Sequence, residues 1–249
     1  MDTKTIVTNY WDKRSDSYKN GVNGFGKEER DIWENILQSY IGDREGLKVL
    51  DIGTGVGFLA LLFAEMGHEV TAVDISEDML EKAENNADKL GLDIKFHYAD
   101  AEELPFEDGY FDVVVNKYLL WTLPDPDKTI NEWKRVLKPD GRLMAIDGNW
   151  FDPKVHKRIK RSISKFKTMI ANRKNFTLEF ENYYEPIRES LPLYENVTFD
   201  KLYDIFENSG FKEIETDSLK QVKNYQKKHS QFPDKFLKVY SYFLITGKK

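Results

Sequence analysis

Leu47-Lys48-Val49-Leu50-Asp51-Ile52-Gly53-Thr54-Gly55-Val56-Gly57 is the stretch that decides how this chain is read. A short, mostly apolar run passes directly into three glycines separated by single residues. The run is the pattern of a strand buried on both faces. The glycines let the backbone turn sharply and let a ligand approach without Cβ interference. Phe58 to Met66 then reads as a helix closed by Gly67. Further along, Glu69–Asp74, Ile94–Tyr98, Phe111–Val115 and Arg142–Asp147 read as strands. Between them lie helices over Glu77–Leu90, with Ser76 as N-cap and Gly91 as stop, and over Asp127–Leu137. Strand–helix alternation of this kind predicts an α/β fold with a doubly wound, mostly parallel sheet.

The flanks extend that plan. Residues 1–46 read as helical, with Ile32, Trp33, Ile36 and Leu37 on one apolar face. Residues 148–197 read as a helical cap, with a long helix over Pro153–Arg173 and an aromatic stretch at Tyr183-Tyr184. A helix over Phe199–Ser209 follows, then strands near Phe211–Thr216 and Val239–Thr246 separated by the polar stretch Lys220–Lys235. The final pair predicts an antiparallel edge and brings the sheet to seven strands, the last of them antiparallel. With 249 residues and no low-complexity linker, the chain is expected to form one domain, 1–249: N-terminal helices (1–46), a core (47–147), the cap insertion (148–197) and the rest of the sheet (198–249).

Composition narrows the function. Cysteine is absent, which excludes disulfides, thiolate metal sites and a cysteine nucleophile. No apolar run approaches the ~18 residues needed to span a bilayer, and Met1–Ile6 lacks a signal-peptide layout. A cytoplasmic protein without stable membrane association is expected. The net charge of −6 is uneven: residues 1–152 carry 17 Lys/Arg against 31 Asp/Glu, the remainder 20 against 12. A basic final third admits an anionic small-molecule partner. No nucleic-acid module is recognisable.

Open α/β sheets bind ligands beyond the carboxyl ends of their strands, where strand order reverses. Asp74, ending the second strand, can accept hydrogen bonds from ribose hydroxyls there. The glycines run G-x-G-x-G rather than in the dinucleotide pattern G-x-G-x-x-G, and Phe58 stands where the last glycine of that pattern would be. Asp51, two residues before the first glycine, disfavours a pyrophosphate but tolerates an amino group or a sulfonium. Asp100-Ala101, after the third strand, offers a carboxylate and an amide to an adenine edge.

Val49–Gly57, Asp74-Ile75-Ser76, Asp100-Ala101-Glu102-Glu103-Leu104-Pro105-Phe106 and Arg135-Val136-Leu137-Lys138-Pro139-Asp140-Gly141 occur in that order. As a set they resemble class I S-adenosylmethionine-dependent methyltransferases, particularly the branch similar to ubiquinone/menaquinone-biosynthesis enzymes. The resemblance covers roughly 45–147, and Tyr10–Tyr18 resembles the helix preceding the core in that branch. It implies a Rossmann-like fold, S-adenosylmethionine as cofactor and methyl transfer to a small molecule. It also implies that Gly53, Thr54, Gly55 and Gly57 line the methionine moiety, with Asp51 near its amino group. By the same resemblance Asp74 holds the ribose, Ile75 and Met79 sandwich the adenine, and Asp100 and Ala101 read its edge. Asn116 offers its backbone carbonyl to the cofactor amine, and Tyr18 caps the site.

Methyl transfer from a sulfonium demands alignment in a water-poor site more than a fixed base, so no catalytic residue is assigned. Tyr118, Trp121, Trp150, Tyr183 and Tyr184 are candidates for an aromatic wall on the acceptor side. His97 lies mid-strand and reads as structural, and His156 as solvated. Four histidines without ligand spacing predict no metal. The helix Pro153–Arg173 sets Lys154, Lys157, Arg158, Lys160, Arg161, Lys165, Lys167 and Arg173 against an apolar face. A solvated surface, an anionic acceptor or an interfacial contact would each account for it, and the cap is expected to act as a lid. Competing readings are a methyltransferase for RNA or protein, a nicotinamide-dependent oxidoreductase and a non-catalytic cofactor-binding protein.

Overall fold

The computed structural model describes residues 2–18, 26–149, 180, 182–230 and 241–249. Trp150, His156 and the helix expected over 153–173 lie outside them. Two N-terminal helices, α1 (Thr3–Ser15) and α2 (Lys27–Ile41), precede β1 (Lys48–Ile52). The chain then alternates through α3 (Phe58–Glu65), β2 (Glu69–Asp74), α4 (Glu77–Leu90), β3 (Ile94–Tyr98), β4 (Phe111–Lys117), α5 (Pro126–Val136) and β5 (Leu137–Gly148). After the cap residues come α6 (Phe199–Asn208), β6 (Lys212–Asp217), α7 (Lys220–His229) and β7 (Tyr242–Lys248).

The sheet runs β3-β2-β1-β4-β5-β7-β6. β1 to β5 are parallel, and β7 is antiparallel to both its neighbours. The last pair is antiparallel as the sequence suggests, but β7 lies between β5 and β6, leaving β6 on the edge. The order reverses between β1 and β4, which places a crevice at the carboxyl ends of these strands. Two apolar cores, one on each face, hold the layers together. Trp33, Leu37 and Phe63 pack on one side, Trp133, Tyr184 and Phe206 on the other.

Local chemistry explains the element ends. Ser76 Oγ accepts from the Met79 amide at 3.2 Å and caps α4, and Gly91 closes that helix in the left-handed conformation. The Asp125 carboxylate caps α5, whose first residue is Pro126. Most of the polar stretch Lys220–Lys235, for which the sequence reading named no element, is α7. Its Val222 is buried and its Gln226 amide donates to Glu29 of α2 at 2.7 Å, so a single apolar anchor and tertiary bonds sustain it.

Candidate active site

An open cleft of about 820 Å³ of empty space lies over the carboxyl ends of β1, β2 and β4. Gly53, Gly55, Asp74, Ile75, Met79, Asp100, Ala101, Tyr18 and Tyr118 line it, drawn together from five parts of the chain. A smaller chamber of about 320 Å³ adjoins it. Tyr18, Gly53, Gly55 and Lys117 belong to both, while Asp51, Thr54 and Phe58 line the small chamber alone.

The glycine loop builds the wall between them. Gly55 has φ +56°, and a Cβ there would stand 3.9 Å from the Tyr18 ring. Any side chain would therefore be both strained and directed at the site. Gly57 differs: it does not line either space, and its Cβ would meet Ala83 Cβ at 3.3 Å, so it lets α3 pack against α4.

Three carboxylates organise the site. Asp51 Oδ2 accepts from the Thr54 hydroxyl at 2.7 Å and the Ala60 amide at 3.0 Å, which fixes the loop onto α3. Burial pushes this carboxyl up to about 7. Asp74 accepts from the amides of Gly55 at 2.8 Å and Ser76 at 3.0 Å, and burial pushes it up to about 6. Asp100 Oδ1 accepts from the Glu102 amide at 2.9 Å, and its Oδ2 meets Lys4 Nζ at 2.5 Å.

The loop after β3 is set by α5, which explains why the two motifs occur together. Trp133 Nε1 donates to the Ala101 carbonyl at 2.9 Å. The Arg135 guanidinium donates to the carbonyls of Leu104 at 3.0 Å and Phe106 at 2.7 Å, while Glu132 accepts from the Leu104 amide at 2.7 Å. Neither Trp133 nor Arg135 lines the cleft; both position what does.

Helix α1 lies across the opening. Lys4, Val7 and Trp11 line the cleft, and Ser76 Oγ donates to Asp12 at 2.6 Å. Lys4 also pairs with Glu102, and Lys82 of α4 donates to Ser15 and Asp16. The sequence reading passed over Lys4, Val7 and Trp11, although their i, i+3, i+7 spacing marks one helix face. It also passed over Lys117, Leu119, Thr122 and Leu123, which the turn after β4 delivers to the cleft.

Several expected residues take other places. Asn116 is buried within β4, paired with Ile52 and Ala145, and Lys117 rather than Asn116 lines the cleft. Trp121, Tyr183 and Tyr184 do not line it either. Tyr184 stacks with its ring 4.7 Å from Phe180 and 5.1 Å from Trp121, and Tyr10 lies 5.6 Å from Tyr183. Large aromatic surfaces bury one another here rather than face the opening. Tyr118 does reach the cleft, through a left-handed φ of +64° that is costly for a side chain of its size.

Lys117 is the unexpected charge. Its Nζ sits 3.9 Å from the centre of the Tyr118 ring and 4.8 Å from that of Phe58. Burial lowers its pKa to about 8, opposed by the fields of Glu29, Asp51 and Asp147. Among the described residues no group of three or more His, Asp or Glu could hold a metal, and no helix is long and apolar enough to cross a membrane.

A loop-bound carboxylate at the end of β2, a second after β3 and a glycine wall thus meet at the carboxyl edge of a doubly wound α/β sheet, where such folds bind ligands. Residues 43–210 match the methyltransferase domain family, and the chain belongs to it. Its cofactor is S-adenosylmethionine. The chain is 33% identical over 144 residues to a ubiquinone/menaquinone biosynthesis C-methyltransferase, UbiE, of Bdellovibrio bacteriovorus, covering 57% of this chain and 61% of that one. It is 38% identical over 130 residues to the UbiE of Vibrio vulnificus, covering 49% and 50%. The chain thus spans half to three-fifths of the length of these relatives. The fold resembles the YcgJ protein of Bacillus subtilis, with TM-score 0.57 and 22% identity over 87% of this chain and 97% of that one. It resembles a SAM-dependent methyltransferase from Aquifex aeolicus to the same TM-score, at 20% identity over 86% and 88%.

Proposed function

We propose that the chain transfers the methyl group of S-adenosylmethionine to a carbon of a small molecule in the cytoplasm, as one domain spanning 1–249 with 148–197 as its cap. The observation that carries this reading is the pairing of Asp74 with a glycine wall beside an apolar opening. Asp74 already accepts the Gly55 and Ser76 amides and still lines the cleft, so its carboxylate has lone pairs left for ribose hydroxyls. Met79 and Ile75 give an apolar slot for the adenine, with Asp100 and Ala101 at its edge. Gly53, Thr54 and Gly55 receive the methionine part, with Asp51 close to its amino group, and Tyr18 covers it. Asn116 offers its backbone carbonyl to the cofactor amine, and Gly57 contributes by packing α3 against α4.

Bound there, the cofactor supplies an activated methyl group with a neutral sulfide as leaving group. The residues of this chain have to align the acceptor and keep water out. Val7, Trp11, Leu119, Leu123 and Pro124 form an apolar wall suited to a flat, weakly polar acceptor. The anionic acceptor suggested by charge rests on the basic stretch outside the described residues. The wall favours the apolar reading.

Incubation with S-adenosylmethionine and a series of hydroxylated aromatic acceptors tests this, with S-adenosylhomocysteine release and product NMR as readouts. A carbon-methylated product is expected. Calorimetry showing NAD binding and no S-adenosylhomocysteine binding would overturn the reading.

A further inference from the structure

The small chamber has a charge pattern that the nucleoside half of the cofactor does not require. Asp51 and Lys117 both line it, together with the uncharged Gly53, Thr54, Gly55, Val56, Phe58 and Leu59 and the Tyr18 ring. One carboxylate and one ammonium lining the same small space match the charges of a free amino acid.

A lysine here is costly in two ways. Removing an ammonium from water is unfavourable, and a sulfonium bound nearby would repel it. Its surroundings compensate only partly, since its pKa stays lowered. Nζ rests on the Tyr118 and Phe58 rings, and the fields of Asp51, Glu29 and Asp147 favour its charge. Asp51 is also committed: Thr54 and Ala60 both donate to Oδ2, which leaves Oδ1 for a donor from the chamber. An α-carboxylate entering beside Lys117 would neutralise the ammonium where it stands, and an α-ammonium beside Asp51 would do the same for the carboxylate.

We propose that Lys117 is a specificity-determining residue, pairing with the α-carboxylate of the cofactor so that the site selects ligands carrying the complete amino-acid tail. This rests on the cofactor reading above and assigns to the residue after Asn116 a task the motifs do not predict. Lys117 also lines the large cleft, so the residue is shared by the two spaces. Tail recognition then sets how far the sulfur lies from the acceptor wall.

The test compares two ligands on three proteins by calorimetry at pH 7. S-adenosylhomocysteine carries the tail, and 5′-methylthioadenosine lacks its amino and carboxyl groups. The wild type should prefer S-adenosylhomocysteine. Lys117→Met should bind it at least tenfold more weakly while binding methylthioadenosine within twofold of wild type. Lys117→Arg should keep most of the preference, and it remains informative if the Met variant does not fold. Equal losses on both ligands, or an unchanged preference in Lys117→Met, would overturn the proposal and leave the cofactor reading intact. A wild type that binds neither ligand would overturn both.

Discussion

The Asp74 carboxylate accepts the Gly55 amide at 2.8 Å, tying the end of β2 to the glycine loop after β1. One oxygen thus shapes the loop, while the other accepts from Ser76 at the start of α4. The residue that faces the cleft also fixes the backbone on either side of it.

Asp74→Ala therefore removes more than ligand contacts. Each lost charge-assisted hydrogen bond is worth ~1.5–3 kcal/mol, offset in part by water, and S-adenosylhomocysteine binding should weaken by roughly 10- to 100-fold. Asp74→Asn keeps one acceptor and should fall between. Calorimetry on folded variants checks both, and an unchanged Kd would reduce Asp74 to a loop anchor.

Binding should also depend on pH with a definite sign. The Asp74 carboxyl stands at about 6 in the folded protein against an ordinary 3.8, because of burial. Hydroxyls donating to it favour the charged form, so binding near pH 6 releases protons and affinity falls as pH drops through about 6. Stability of the free protein runs the other way. Its folded state holds the extra proton between 3.8 and about 6, so this group's contribution is greatest below 3.8 and is lost as pH rises through that window. Calorimetry in buffers of different ionisation enthalpy reads the protons directly; no release at pH 6 would contradict the assignment.

Trp133→Phe should act on the site from a distance. The indole N–H holds the Ala101 carbonyl, and the side chain is fully buried. Removing it leaves a carbonyl unpaired and a small void, together about 2–4 kcal/mol of stability. S-adenosylhomocysteine affinity should fall severalfold because the Asp100–Ala101 turn loosens. Thermal unfolding and calorimetry separate the two effects; a destabilised variant with wild-type affinity would show that the turn holds itself.

Asn116→Leu should raise stability. The Asn116 side chain is fully buried, and neither end of its amide has a hydrogen-bonding partner among the described residues. Replacing it by an apolar group of similar size removes a desolvation cost of about 1–3 kcal/mol, worth several degrees in Tm. A lower Tm would mean that the amide is satisfied in solution, by a buried water for example.

The core of the fold was legible because its signals are local. The runs at Val49–Ile52 and Val70–Val73, the Ser76 cap and the glycine stops each fix their own element. The residues on the glycine loop and at the ends of β2 and β3 were legible for the same reason, since topology alone places strand ends at one edge. Residues such as Lys117 and Trp11 were not. Which side of the β4 turn faces the cleft depends on the left-handed Tyr118, and the placement of α1 depends on Ser76 and Lys82, more than sixty residues away. Aromatic residues misled for a physical reason too: Trp121 and Tyr184 suit a ligand wall and a packed core equally, and only their neighbours decide.

The placement of β7 between β5 and β6 imposes an order on biosynthesis. During translation β1 to β5 can assemble as each emerges, but among the described residues β6 bonds only to β7 and must wait for a strand made about thirty residues later. Meanwhile Lys212, Glu213, Glu215 and Asp217 keep this waiting strand charged along most of its length, which discourages pairing with a neighbouring chain on the same ribosome cluster. In the finished molecule Glu213 pairs with Lys248 at 2.6 Å and Asp217 accepts from the Leu219 amide at 2.7 Å, so the arrival of β7 gives the waiting Glu213 its partner.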